Sequence, residues 1–134
     1  MEIATQLSVF IENRPGTLAA MCDELAKHNV NIFALTISDT VDHAVVRMVV
    51  SEPRKALTLF EERGVLTIEN KVLLIENSNK PGSLSKIAAK LGEAKINIEY
   101  AYATVDHAGA NTRLILKTQK AAKAQQILRQ LEDR

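Results

Sequence analysis

The chain has 134 residues, of which 46% are hydrophobic and 25% charged, and its formal net charge is +1. That length holds one ordinary domain or two small ones, and a charge this small with only 4% aromatic residues argues against a nucleic-acid partner. A single cysteine, Cys22, excludes an internal disulfide and a cysteine-built zinc cluster.

From the N-terminus, "MEIATQ" lacks the basic-then-apolar build of a signal peptide, and no later apolar run approaches the roughly 18 residues of a membrane span. A cytoplasmic protein without a membrane partner is expected. "QLSVFIE" then alternates Leu7, Val9 and Ile11 with polar neighbours, which predicts a strand. "ENRPGTL" follows, and beyond it Leu18, Met21, Cys22 and Leu25 recur at helical spacing. Asn29 stands where that helix should stop. "VNIFALTI" and "AVVRMVV", joined by the turn-like "SDTVDH", predict a hairpin. Pro53 opens a second helix with Ser51 as a possible cap; Ala56, Leu59 and Phe60 form its stripe, and Gly64 closes it before the strand "VLTI".

The same order then begins again. At an offset of 66 residues Asn13 falls on Asn79, Pro15 on Pro81, Gly16 on Gly82, Leu25 on Leu91, Asn31 on Asn97 and Arg47 on Arg113. The corner "SNKPGSL" repeats "ENRPGTL", and Leu84, Ile87, Ala88 and Leu91 continue as the helical stripe. Ala124, Ile127, Leu128 and Leu131 mark the last helix, after which no fourth strand is visible. The expectation is an α+β protein of two ferredoxin-like βαββαβ units, residues 1–70 and 71–134, each an antiparallel sheet with helices on one face. In the middle strands, Val30 and Ile32 read as one side and Phe33, Leu35 and Ile37 as the other. Apolar residues on both sides imply that the helix-free side is also covered, so a homodimer is expected.

The repeated corner suits a small zwitterion. Gly lets the backbone approach a ligand, Pro presets the helix entry, and the first helical N–H groups point outward without internal partners. Thr17 or Ser83 can cap the helix or donate a hydroxyl, and the amides of Asn13 and Asn79 offer both a donor and an acceptor.

These corners, the helices after them, and "NVNIFAL" and "KINIEYA" at the second strands resemble the ACT domain family, and most closely its stand-alone tandem members. The resemblance covers nearly the whole chain and implies a non-catalytic regulatory protein that binds an amino acid and needs no cofactor. It places the ligand between two units, with the corner of one and the second strand of a neighbour around it. Carried onto this sequence, it implies Asn13, Arg14, Pro15, Gly16, Thr17 and Leu18 in one unit, and Asn79, Lys80, Pro81, Gly82, Ser83 and Leu84 in the other. Asn31, Ile32, Asn97 and Ile98 are the second-strand candidates. Backbone N–H groups near Gly16 and Gly82 would take the carboxylate, and Asn13 and Asn79 the α-amino group. Relatives often carry Asp at this Asn; an uncharged amide holds an ammonium less strongly. A metabolic enzyme is the implied partner, and a ligand-independent dimerisation or docking module is the alternative.

Other constellations are weaker. His43 and His107 each follow "VD", but only Asp42 and Asp106 stand beside them, so solvated turns are expected rather than a metal site. His28 suits a helix C-terminus, and Cys22 lies on an apolar stripe. Arg47 and Arg113, equivalent strand residues, could pair across an interface or meet a ligand carboxylate. "GTLAAM" lacks the glycines of a phosphate-cradling loop, and no catalytic triad is suggested by spacing.

Overall fold

The computed structural model describes residues 1–39, 42–78, 80–105 and 111–132. In chain order they form β1 (Glu2–Glu12), α1 (Thr17–Lys27), β2 (Ile32–Asp39), β3 (His43–Val50) and α2 (Pro53–Glu62). There follow β4 (Thr67–Ser78), α3 (Ser83–Glu93), β5 (Tyr100–Val105), β6 (Asn111–Lys117) and α4 (Ala121–Glu132).

The chain divides into two compact units, Thr5–Asn70 and Met1–Ala4 with Lys71–Arg134. In the first unit the strand order is β4-β1-β3-β2. β3 is antiparallel to both its neighbours: Val9 pairs with Val46 and Leu35 with Met48. One core gathers Leu7, Val9, Met21, Leu25, Val46, Met48, Ala56 and Phe60, so α1 and α2 bury their stripes against alternate strand residues. In the second unit the order is β1-β4-β6-β5, with Ile75 opposite Leu114 and Tyr102 opposite Ile115. Leu73, Ile75, Ile87, Leu91, Leu114, Ala124 and Leu128 form its core.

The absent fourth strand of the second half thus has an answer. Met1–Ala4, counted with the first half from sequence, belong to the second unit, where β1 lies beside β4 and Met1 packs on the core. β1 and β4 each contribute different residues to the two units. β4 is one strand of 12 residues, where two separate strands would be read from the sequence.

Three helices end alike. After α1, Val30 donates its N–H to the Leu25 carbonyl at 2.9 Å, and Asn29 donates to Ala26 at 3.0 Å. After α2, Val65 donates to Phe60 at 2.9 Å and Gly64 to Glu61 at 3.0 Å; after α3, Ile96 donates to Leu91 at 2.9 Å and Lys95 to Gly92 at 3.0 Å. This is the Schellman closure, which puts the intervening residue in the left-handed region and packs the next apolar residue back onto the helix. Asn29, Gly64 and Lys95 have φ of 59°, 72° and 60°. Gly and Asn tolerate that conformation; Lys95 adopts it although a Cβ disfavours it.

Two expectations are corrected. β2 is irregular between Ile32 and Ala34, so strict alternation fails: Ile32 and Leu35 both pack on the first core, and Phe33 is exposed. Val45 and Val49 alternate with the core-facing residues of β3, and Phe10 pairs with Val45. The second correction concerns α3, where Ile87 and Leu91 are buried but Leu84, placed on the stripe from sequence, is 57% exposed.

Cys22 packs against the first core. Burial, and then the neighbouring Asp23 carboxylate, push its thiol above the ordinary range. Cys22 is therefore expected to react with iodoacetamide at neutral pH more slowly than free cysteine. A rate equal to that of free cysteine, followed by mass spectrometry, would contradict this.

Candidate functional site

The two strand-to-helix corners have the same backbone. Gly16 caps α1 with φ 91° and ψ −16°, and Gly82 caps α3 with φ 89° and ψ −8°. Glycine is required at both because a side chain strains at such φ. A Cβ built at either position meets nothing within 4 Å, so the space before each helix is open.

The helices begin without side-chain caps. Thr17 does not cap α1; its hydroxyl donates backward, to the carbonyls of Glu12 at 2.8 Å and Arg14 at 2.9 Å. The Gly16 carbonyl accepts from Ala20 at 3.0 Å, and the Gly82 carbonyl from Lys86 at 3.0 Å. Among the described residues, no acceptor takes the N–H groups of Leu18 and Ala19 at the first corner or of Leu84 and Ser85 at the second. Each corner therefore presents unfilled donors at the positive end of a helix, which favours an anion.

The side chains around the corners differ. Arg14 pairs with Glu12 at 2.9 Å, both largely exposed, so it faces its own strand end. Asn13 is exposed and donates its N–H to the Asp42 carbonyl at 3.2 Å. Lys80, Pro81 and Gly82 are exposed, and Ser83 is half-buried; Asn79 lies outside the described residues.

The second-strand candidates lie elsewhere in each unit. The N–H of Asn31 donates to the Ser51 hydroxyl at 2.9 Å, and its carbonyl accepts from the Ser51 N–H at 2.9 Å. Ser51 thus latches the start of β2 instead of capping α2, whose N-cap is Glu52. Ile32 packs on the first core. Asn97 and Ile98 precede β5, which starts only at Tyr100. α1 has 11 residues, about 16 Å of rise, and separates the Gly16 corner from Asn31. A single unit therefore does not bring its own corner and second-strand candidates together.

Arg47 donates to the Ser38 hydroxyl at 3.0 Å, whereas Arg113 lies 3.5 Å from Glu76. His28 closes α1 with Nδ1 3.0 Å from the Glu24 carbonyl. Asp42 and His43 lie at the start of β3, with His43 opposite Glu12; Asp106 and His107 fall outside the described residues. Among the described residues no three metal-ligating side chains converge, and no helix is long and apolar enough to cross a membrane.

Lys86 and Lys90, not singled out from sequence, help to line a cleft of about 700 Å³ in the second unit. Lys86 and Lys90 of α3 and Leu128 of α4 line it together with Lys80, Pro81 and Ser83 of the corner. Their signal was present in the 66-residue comparison, where Lys90 replaces Glu24 and Lys86 replaces Ala20.

Two βαββαβ units with one strand order and matching glycine-led corners define a duplicated ferredoxin-like protein. The chain belongs to the ACT domain pair family, whose model matches residues 1–132. Its structure is similar to protein BT0572 from Bacteroides thetaiotaomicron, with 29% identity, a TM-score of 0.90, and coverage of 97% of this chain and 89% of that one. It is also similar to the ligand-free regulatory subunit of aspartate kinase from Thermus thermophilus, with 16% identity, a TM-score of 0.71 and coverage of 97% of both chains. The corresponding subunit from Thermus flavus gives 16% identity and a TM-score of 0.67 over 97% of this chain and 92% of that one. At such identity these likenesses show the fold. No curated protein matches the chain in sequence. ACT pairs are regulatory, ligand-binding modules.

Proposed function

We propose that this ACT pair is a non-catalytic sensor that binds a free amino acid at its glycine-led corners and, as a homodimer, regulates a metabolic enzyme in the cytoplasm. The observation that carries this reading is the duplicated open helix start, with unfilled N–H groups at Leu18 and Ala19 and again at Leu84 and Ser85. These donors suit the α-carboxylate. Asn13 and Asn79 take the ammonium, and Asn31, Ile32, Asn97 or Ile98 of a neighbouring unit close the pocket. Binding then shifts assembly or partner affinity, because a ligand held between units favours the state in which they are apposed.

Calorimetric titration with the 20 common amino acids tests this. At least one is expected to bind at or below the millimolar range, and Gly16→Val/Gly82→Val to weaken it by about tenfold or more. A Cβ at either position meets nothing within 4 Å, so the main cost is backbone strain at positive φ, at least about 1–2 kcal/mol for each β-branched valine, and circular dichroism of the variant checks that it is folded. Absence of binding by the unmodified chain would discard the sensor. An oligomer that stays unresponsive to all 20 would favour the docking module, for which Phe33 and Ile37, each 44% exposed on the outer strand β2, offer an apolar contact.

A further inference from the structure

We propose that the second unit binds a small organic acid, a carboxylate on an apolar body, in the groove between α3 and α4. This goes beyond the amino-acid reading and does not depend on it. The groove has a volume of about 700 Å³, within the range of small-molecule pockets and too confined for a folded partner. Ile75, Ile87 and Leu128 line it and are 6%, 5% and 3% exposed, so only their groove-facing edges meet solvent. They supply an apolar floor.

Lys80, Lys86 and Lys90 line the same groove. Among the described residues none of the three ammonium groups has a hydrogen bond or an ion pair. Of the two carboxylates in the lining, Glu76 lies 3.5 Å from the Arg113 guanidinium, which leaves Glu93 as the one without a cation. Among the described residues, three ammonium groups without a partner stand against one such carboxylate, a surplus of positive charge over an apolar floor. Lysine stems can lie along that floor with the charge at the rim. An anionic head on an apolar tail satisfies both features, whereas an inorganic anion leaves the floor wet and a neutral apolar molecule leaves the lysines unused.

The comparison with the first unit shows that the repeat does not require this charge. At the position equivalent to Lys90, Glu24 receives Arg63 at 2.7 Å and lies 3.5 Å from His28 Nδ1, which ties α1 to the end of α2. The equivalent of Lys86 is Ala20. Where the first unit has a clamp, the second has, beside a cleft, a cation with no partner among the described residues.

Octanoate is the probe, titrated into the full chain by calorimetry and followed by amide shifts in a 15N-labelled sample. Saturable binding is expected, with shifts centred on α3 and α4; acetate and octanol should bind about tenfold more weakly or not at all. Lys86→Glu/Lys90→Glu should weaken octanoate by about tenfold, while Lys86→Arg/Lys90→Arg retains it and excludes a folding defect. Lys27→Glu/Lys55→Glu, the same change of charge in the first unit, should leave binding unaltered. The proposal is overturned if octanoate does not saturate, if octanol binds as tightly, or if both Glu pairs weaken binding alike. The groove shares Lys80, Pro81 and Ser83 with the second corner but is not lined by Gly16 or Gly82, so octanoate binding that survives in the Gly16→Val/Gly82→Val variant while amino-acid binding is lost separates the two sites.

Discussion

Removal of Glu2–Ala4, with Met1 joined directly to Thr5, is expected to cost about 2–4 kcal/mol, with the loss falling on the second unit. Those residues extend β1 beside β4 and belong to the unit formed by Lys71–Arg134. Each strand hydrogen bond lost costs on the order of 1 kcal/mol. Withdrawal of Met1 from the Leu73 and Ile75 core adds part of a buried side chain. Urea denaturation gives the magnitude, and hydrogen exchange gives the place. The amides of Leu73 and Ile75 should lose protection, while those of Val46 and Met48 keep theirs. Unchanged stability, or a loss of protection that is uniform along the chain, would refute the assignment of this strand.

A comparable effect is expected from Leu25→Ala and Leu91→Ala, at about 2–5 kcal/mol each. The two leucines are equivalent in the repeat, and both are 0% exposed. Each also holds a Schellman closure, its carbonyl accepting the N–H of Val30 or Ile96 at 2.9 Å. Truncation leaves a cavity beneath the helix end and removes the contact that packs Val30 or Ile96 back onto it. Leu84→Ala is the control: at 57% exposure it should change stability by no more than about 0.5 kcal/mol. A Leu91→Ala protein as stable as the Leu84→Ala protein would mean that the second core is not built around Leu91.

Much of this protein is visible in the chain before it folds. The helical stripes at Met21 and Leu25, at Ala56 and Phe60, and at Ala124 and Leu128 all turn inward. The turn residues Asn29 and Gly64 mark helix ends, since their left-handed φ is cheap for those residue types. Lys95 occupies the same position after α3, but no local signal marks a lysine for positive φ. The irregularity at Phe33 was hidden because a bulge leaves the composition of a strand unaltered while it switches the side its residues face. At the corners, the glycines were legible and the direction of the Thr17 hydroxyl was not. A hydroxyl takes whichever acceptor the folded backbone brings within reach.

The repeat, the order of strands and helices, and the two glycine-led corners all follow from local residue patterns. Period-2 and period-3.6 patterns and the demands of positive φ act within a few residues of each position. The strand that completes the second unit is visible only in the folded chain. "IENKVLLIEN" carries no Gly or Pro, so nothing local divides β4, and nothing local in "MEIATQ" assigns Met1–Ala4 a partner 70 residues away. The free lysines of the groove were settled the same way. Whether a charge is paired depends on what another element brings to it, and among the described residues Lys90 meets no carboxylate where Glu24 meets Arg63.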